Sequence, residues 1–277
     1  MKRLIITAIF CGMLGSVYAQ RATTDSTKTI TDTVVKIKKT GIRASIEYVR
    51  NGIKDDSAKT AKKIAKRSKS GFSIGLTLDD FHLGFATLID NGNFTLSSKN
   101  DFLNYSQAKT SYVGFSVFKF GYRFNDHFRI GMSADFDWTL IRLQKNIDIV
   151  PDAPTLTYVT NTTNHYSKNR LSSNYLVLPL SFDFRSSPDS HHTRFHFIAG
   201  PEVGFLIDGM QKQISSERGK TKNFNDFHFT RFEYGGFVKV GYGSFGIFAK
   251  YFANDMFVNS IDQKGLKNFN FGLQFGF

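Results

Sequence analysis

The chain has 277 residues, with 36 Lys and Arg against 23 Asp and Glu, thirty Phe and eleven Tyr beside one Trp, and a single cysteine, Cys11. The charge excess is local: residues 20–70 hold fourteen basic and five acidic side chains, which leaves 71–277 nearly neutral at +2. One cysteine excludes a disulfide-stapled domain, and a basic excess that avoids the body of the chain gives no support to nucleic-acid binding.

Met1-Lys2-Arg3, the apolar run LIITAIFCGMLG and the small residues of SVYA before Gln20 have the anatomy of a secretory signal peptide cut after Ala19. Cys11 sits inside the apolar run behind Ile9-Phe10, which is not a lipoprotein setting, and it leaves with the leader. The exported chain then has no thiolate for metal binding or catalysis. Residues 20–70 form a basic extension. Ile42, Ile46, Val49 and Ile53 keep helical spacing, and DDSAKTAKKIAKRSK (55–69) opens on N-cap residues, so one or two short amphipathic helices are predicted there. The extension reads either as a solvated periplasmic linker or as an arm touching an anionic surface.

From residue 71 onward apolar residues fall on alternate positions, the period of strands. Eight segments show it, within 72–88, 112–124, 128–140, 174–184, 194–206, 232–242, 245–252 and 267–277. In the first, Phe72, Ile74, Leu76 and Leu78 keep one register and Phe81, Leu83 and Phe85 the other, which predicts a bulge near Asp79-Asp80. Counted as two strands, that segment would raise the total to nine, so that the even number a barrel of this kind takes would be ten. Asn125-Asp126-His127 and Gly243-Ser244 have hairpin-turn compositions, and RSSPDSHHT is a modest connection. The connections 89–111, 150–172, 209–228 and 254–266 are long and polar. Short and long connections alternate, so the long loops of an antiparallel barrel would gather at one end and both termini at the other.

The faces of each strand sort by chemistry. Phe128, Ile130, Met132, Ala134, Phe136 and Trp138 share one face, and Arg129, Gly131, Ser133, Asp135 and Asp137 the other. Leu176, Leu178, Leu180, Phe182 and Phe184 oppose Val177, Ser181, Asp183 and Arg185. Phe195, Phe197, Ala199, Val203 and Phe205 oppose Arg194, His196, Gly200, Glu202 and Gly204. Alternation alone does not say which face points inward. An eight-stranded interior could hardly pack so many Phe and Leu side chains, aromatic residues gather at strand ends (Tyr122, Phe124, Phe128, Tyr242), and the apolar face carries essentially no charge within one crossing. The apolar face therefore meets lipid, and the fold class is an all-β, eight-stranded, antiparallel, up-and-down transmembrane barrel. Pro179 and Pro201 cannot donate to a ladder in a barrel without edges, so a bulge or broken pairing is expected at each. The last segment, with Phe269, Phe271, Leu273, Phe275 and Phe277 on one face, closes the barrel against the first.

With the strands placed, YLVLPLSFDF (175–184), FHFIAGPEVGFLI (195–207) and the ending FNFGLQFGF resemble the porin-like (PorT-like) outer-membrane β-barrel domain family of Gram-negative bacteria. The resemblance covers about 71–277 and leaves the basic extension unexplained. It implies a cell outer-membrane location with periplasmic termini, and insertion by the barrel-assembly machinery. The terminal pattern is similar to the signal which that machinery reads, which implicates Phe269, Phe271, Leu273, Phe275 and Phe277.

Inward positions are rich in charge: Lys119, Arg123, Arg129, Asp135, Asp137, Asp183, Arg185, Arg194, Glu202, Glu233, Lys239 and Lys250. They predict either a mutually paired plug, favoured by the narrow interior of eight strands, or the lining of a narrow channel. Catalysis finds little support. There is no His-Glu-x-x-His; His196 and Glu202 share a face but stand about 20 Å apart along the strand. His191 and His192 are adjacent with no third ligand, so no metal and no cofactor is expected. The reading is a structural or interaction protein working through its external loops, with a porin-like channel as the main rival and a barrel-embedded lipid-modifying enzyme the third. Its partners would be outer-membrane lipid, the assembly machinery, and an envelope or surface partner meeting loops 89–111, 150–172, 209–228 and 254–266.

Overall fold

The computed structural model describes residues 33–40, 43–50, 71–76, 78, 80–191 and 193–276, and for 33–50 the backbone alone. The expected signal peptide, the expected helix at 55–69 and Phe277 lie outside these residues. In chain order the strands are β1 (Thr33–Thr40), β2 (Arg43–Arg50), β3 (Gly71–Leu76), β4 (Phe81–Asp90), β5 (Ser111–Arg123), β6 (Phe128–Leu143), β7 (Ile147–Val150), β8 (Thr157–Thr160), β9 (Tyr166–Arg185), β10 (Phe195–Ser215), β11 (Gly219–Asn225), β12 (Phe232–Tyr242), β13 (Phe245–Phe252) and β14 (Leu266–Phe275).

Eight of them close an antiparallel barrel in the order β4–β5–β6–β9–β10–β12–β13–β14, with β14 returning to β4 from Leu266↔Asp90 to Phe275↔Phe81. Following the pairing once round the barrel from Arg123 leads back to β5 at Tyr112, eleven positions nearer its start. That offset is the stagger that tilts the strands and lets the sheet close. The outward faces carry half-exposed rings and aliphatics, among them Phe81, Leu83 and Phe85 of β4, Phe195, Phe197 and Phe205 of β10, and Phe271, Leu273 and Phe275 of β14. Leaving each such side chain in water would cost about 1.5–3 kcal/mol relative to burial, so a continuous band of them is a lipid-facing surface. At the short-turn end Tyr122, Phe124, Phe128 and Phe184 follow one another at ring separations of 4.8, 5.5 and 5.0 Å.

The first barrel strand is divided. β3 and β4 both pair with β5, and the chain breaks register between Leu76 and Phe81 where a bulge was expected. β5 answers with an irregularity between Ser116 and Phe118, and the Ser116 N–H donates to the Asp80 carbonyl at 3.1 Å. Two strand pieces thus occupy one barrel position, and the count is eight. The prolines behave as expected. The β9–β10 ladder stops after Ala199↔Phe182 and resumes at Glu202↔Pro179, and the β6–β9 ladder skips from Met132↔Leu180 to Asp135↔Val177.

Two expectations are corrected. β1 and β2 pair as antiparallel strands where helical spacing had been read, and β2 pairs with β3. β14 ends its pairing at Phe81, so the edge of β3 is open to β2, and edge pairing overrides a weak local propensity. Second, 150–172 and 209–228 are not mainly loop. β9 and β10 run on to 20 and 21 residues, β10 folds back on β11, and β7 pairs with β8.

Gly200 shows how closely the backbones approach beside Pro201. A Cβ there would stand 1.8 Å from the Leu180 carbonyl oxygen, whereas one on Gly236 would have no neighbour nearer than 3.4 Å. Gly200→Ala is expected to destabilise the refolded barrel by about 1–3 kcal/mol, and Gly236→Ala by no more than about 0.5 kcal/mol. Denaturant midpoints in detergent micelles check this; equal midpoints would contradict the close approach.

Candidate functional site: a charge-layered lumen closed at one end

The long-loop end of the barrel is filled with apolar side chains. Leu88, Ile141, Leu143, Leu171 and Leu266 come from barrel strands, and Phe102, Leu103, Ile147, Ile149, Leu156, Phe227, Phe229, Met256 and Phe257 from the segments folded over them. None is more than 6% exposed. Amides pin the β7–β8 hairpin onto this lid: Asn169 Nδ2 and Gln211 Nε2 donate to the Ile147 carbonyl at 2.8 and 3.2 Å, and the Ile149 N–H donates to Gln211 Oε1 at 3.1 Å. Sequence reasoning missed the lid because its loop residues come in groups of one to three apolar positions within polar stretches, too short to establish a period.

Beneath the lid lies an acidic layer. Lys250 Nζ stands 2.7 Å from Asp137 Oδ2, 3.1 Å from Glu202 Oε2 and 5.6 Å from the Tyr112 ring centre. Asp135 is fully buried with no hydrogen-bond partner on either carboxylate oxygen, and Glu233 is buried opposite Gly204. Among the described residues Lys250 is the ammonium in ion-pair range of this layer, which holds four carboxylates. Nearer the short turns a second cluster centres on Asp80. Lys119 and Lys239 Nζ lie 3.3 and 3.6 Å from its Oδ2, while His82 Nε2 and Gln274 Nε2 lie 3.2 and 2.9 Å from its Oδ1. A third centres on Asp183, which accepts from Arg185 Nε at 2.7 Å and also meets Arg185 Nη2, with His196 Nδ1 at 3.5 Å. Arg129 donates to Ser73 Oγ at 3.1 Å.

The structure therefore separates the predicted lumen residues. Asp135, Asp137, Glu202, Glu233 and Lys250 gather in the middle; Arg129, Asp183, Arg185 and Lys239 gather at the short-turn end. Arg194 instead donates to the Asp126 carbonyl in the β5–β6 turn at 2.7 Å. Asp80, His82 and Tyr112 were missed, although the register break that was expected is what turns Asp80 inward. His196 and Glu202 join different clusters. The string Gly71-Phe72-Ser73-Ile74-Gly75 fits a nucleophile-elbow pattern but lies wholly in β3, and Ser73 Oγ donates to the Gly121 carbonyl at 3.3 Å rather than capping a strand-to-helix turn. Phe269, Phe271, Leu273 and Phe275 lie on β14 between β13 and β4.

Residues 141–277 match the model of the outer membrane protein beta-barrel domain family. With the closed barrel and its lipid-facing band, that match supports an outer-membrane β-barrel family and an outer-membrane location. No curated protein matches the chain.

Lys250→Met would leave Asp137 and Glu202 buried without their cation and is expected to cost about 3–5 kcal/mol. Adding Glu202→Gln should recover part of the loss, and denaturant midpoints of the single and double variants check it. At the long-loop end, Tyr166 of β9 donates to Asp148 Oδ1 of β7 at 2.7 Å; its burial and then this carboxylate push the phenol up to about 12. The folded state therefore keeps a proton the unfolded chain loses near pH 10, so stability falls between pH 10 and about 12. Tyr166→Phe should flatten the stability–pH curve in that window, and an unchanged slope would contradict the assignment.

Proposed function

We propose that this barrel is a non-catalytic structural and interaction protein of the outer membrane, with the long loops outside the cell and both termini in the periplasm. The observation that carries this reading is the apolar lid, whose side chains fill the long-loop end where a solute path would have to emerge. The charged network beneath it then acts as a plug that holds the eight strands in register. The working surface is the loop ensemble. A groove of about 790 Å³ there is lined by Asp152, Asn225, Asp226, Arg231, Phe232 and Asn259, and a cleft of about 650 Å³ adjoins it through Thr230, Phe232, Val258 and Asn259. His228 and Asn259, on this surface, hold positive φ angles of 58° and 55°, the kind of backbone strain that gathers at binding surfaces.

The PorT-like resemblance belongs to this proposal, as do a cleaved leader and insertion by an assembly machinery reading Phe269, Phe271, Leu273, Phe275 and Phe277. A second reading, a narrow porin-like channel, draws on one observation: the unpartnered Asp135 carboxylate would be hydrated in an open lumen. Planar-bilayer conductance of the exported chain, after a heat-dependent gel shift has shown it folded, separates the two. A silent bilayer is expected. Stable unitary steps that change with Asp135→Asn would overturn the plug and make this a channel.

A further inference from the structure

Past the lipid-facing band, toward the long loops, the outward side of β6, β9, β10 and β11 turns basic. Register sets Arg142 opposite Arg170, Arg170 opposite Lys212 and Lys212 opposite Lys222, a level row across four adjacent strands. Lys168 and Lys220 both stand opposite Ile214, two residues further along, and so on the same face. Their inward neighbours Ile141, Leu143, Leu171 and Gln211 are buried, which leaves the basic positions on the outside. Among the described residues no carboxylate lies within ion-pair distance of these six side chains. Asp148 accepts instead from Tyr166 and Gln213, and Glu217 in the β10–β11 turn from the His165 N–H. Asp208 stands four residues from Lys212 on the side of the lipid band. Arg142 Nη2 donates to the Ser167 carbonyl at 2.6 Å, and Arg170 Nε is buried without a hydrogen-bond partner. Desolvation, then Arg170, Arg142 and Lys220, holds the Lys168 ammonium below the ordinary lysine value. Like charges level on neighbouring strands destabilise a sheet, so the row is unfavourable unless anions face it.

The height of the row decides what meets it. On the same face, two residues nearer the band, lie Leu140, Met210 and Phe224; Trp138 follows, and then Phe136, Leu176 and Phe205. Two residues span about 7 Å along a strand, or about 5 Å along the bilayer normal once strand tilt is included. Headgroups extend roughly 5–7 Å beyond the hydrocarbon on each side, so the row lies at headgroup height, and Trp138 just below it is an interfacial residue type. Lys168, Arg170 and Lys212 are half-buried, as basic side chains are when their stems lie on a surface and their heads reach polar ground. Guanidinium forks and ammonium groups both recognise phosphate, and a row continuous with the lipid-facing surface meets lipid before it meets a soluble protein. We propose that this outward basic row binds the phosphate groups of anionic lipid in the leaflet bordering the long-loop end. That this leaflet is the outer one rests on the orientation proposed above; the binding itself does not.

The test titrates bisphosphoryl lipid A, its dephosphorylated form and phosphatidylcholine into the chain folded in maltoside micelles, with retained lipid read by native mass spectrometry. Saturable retention of the phosphorylated lipid is expected, at least tenfold tighter than either lipid without net charge, and weaker as salt rises. Arg170→Gln combined with Lys212→Gln should weaken it tenfold or more, while Lys99→Gln combined with Lys264→Gln, off the row, leaves it unchanged. Should the first pair fail to show the heat-dependent gel shift of a folded barrel, Lys220→Gln with Lys222→Gln on exposed β11 carries the same expectation. Equal retention of the three lipids, or retention that survives the row variants, overturns the proposal. Tighter binding of polyglutamate than of the phosphorylated lipid overturns it in favour of an acidic protein partner. Protease access to the long loops in intact cells reads the orientation separately, so a wrong orientation and a wrong lipid site give different results.

Discussion

A strand that crosses lipid has no water to satisfy its N–H and carbonyl groups, so every one of them needs a protein partner and the sheet must close on itself. The β14–β4 pairing is where that requirement is met, from Leu266↔Asp90 down to Phe275↔Phe81. Gly84 and Gly272 face each other at this seam, where a Cβ on Gly272 would stand 2.4 Å from Gly84 Cα. Closure with stagger also explains the step at the short-turn end. β14 finishes against Phe81 while β3 continues along β5 to Gly71↔Arg123, which leaves the edge of β3 to the β1–β2 pair. Where Pro179 and Pro201 interrupt the ladders, Gly200 lets the neighbouring backbones stay close, so the defect is local.

Closing eight strands with their apolar faces outward leaves the polar faces in an interior barely wider than its side chains. Charges forced into such a space lose hydration, and only pairing or hydrogen bonding offsets that loss. The lumen answers differently along its length. Near the long loops it avoids charge, using Leu88, Ile141, Leu171 and Leu266 under a lid of Phe102, Phe227, Phe229 and Phe257. In the middle, acids surround Lys250, and at the short-turn end bases surround Asp80 and Asp183.

What was legible in the sequence follows from the solvent on each face. Where one face meets lipid and the other the lumen, as in β6 or β14, the contrast between Phe or Leu and Asp, Arg or Gly is large, and strand, register and orientation could be read. Beyond the bilayer both faces of β9 and β10 meet water or the lid, the contrast fades, and residues 166–173 and 209–215 read as loop. The β1–β2 pairing was missed for another reason: its partner, the open edge of β3, exists only after the barrel closes. The division of the inward charges into layers was not visible, because it depends on which inward residues of neighbouring strands stand level. The stretches that carry the PorT-like resemblance, 175–184, 195–207 and the C-terminal strand, all fall within the segment matched by the family model.

The layering bears on how such a lumen could work. A channel needs binding sites weak enough to leave at both ends and a wetted path between them. Here bases are followed by acids and then by a dry lid, so either sign of ion would meet a barrier within one passage. A small anion attracted to Arg129 and Lys119 would next face Asp137 and Glu202, and a cation would be turned back before reaching them. Axial separation of charge therefore opposes conduction of either sign of ion. It also leaves the two ends of the barrel chemically independent, because the Lys250 layer lies between the basic end and the loop-covered surface.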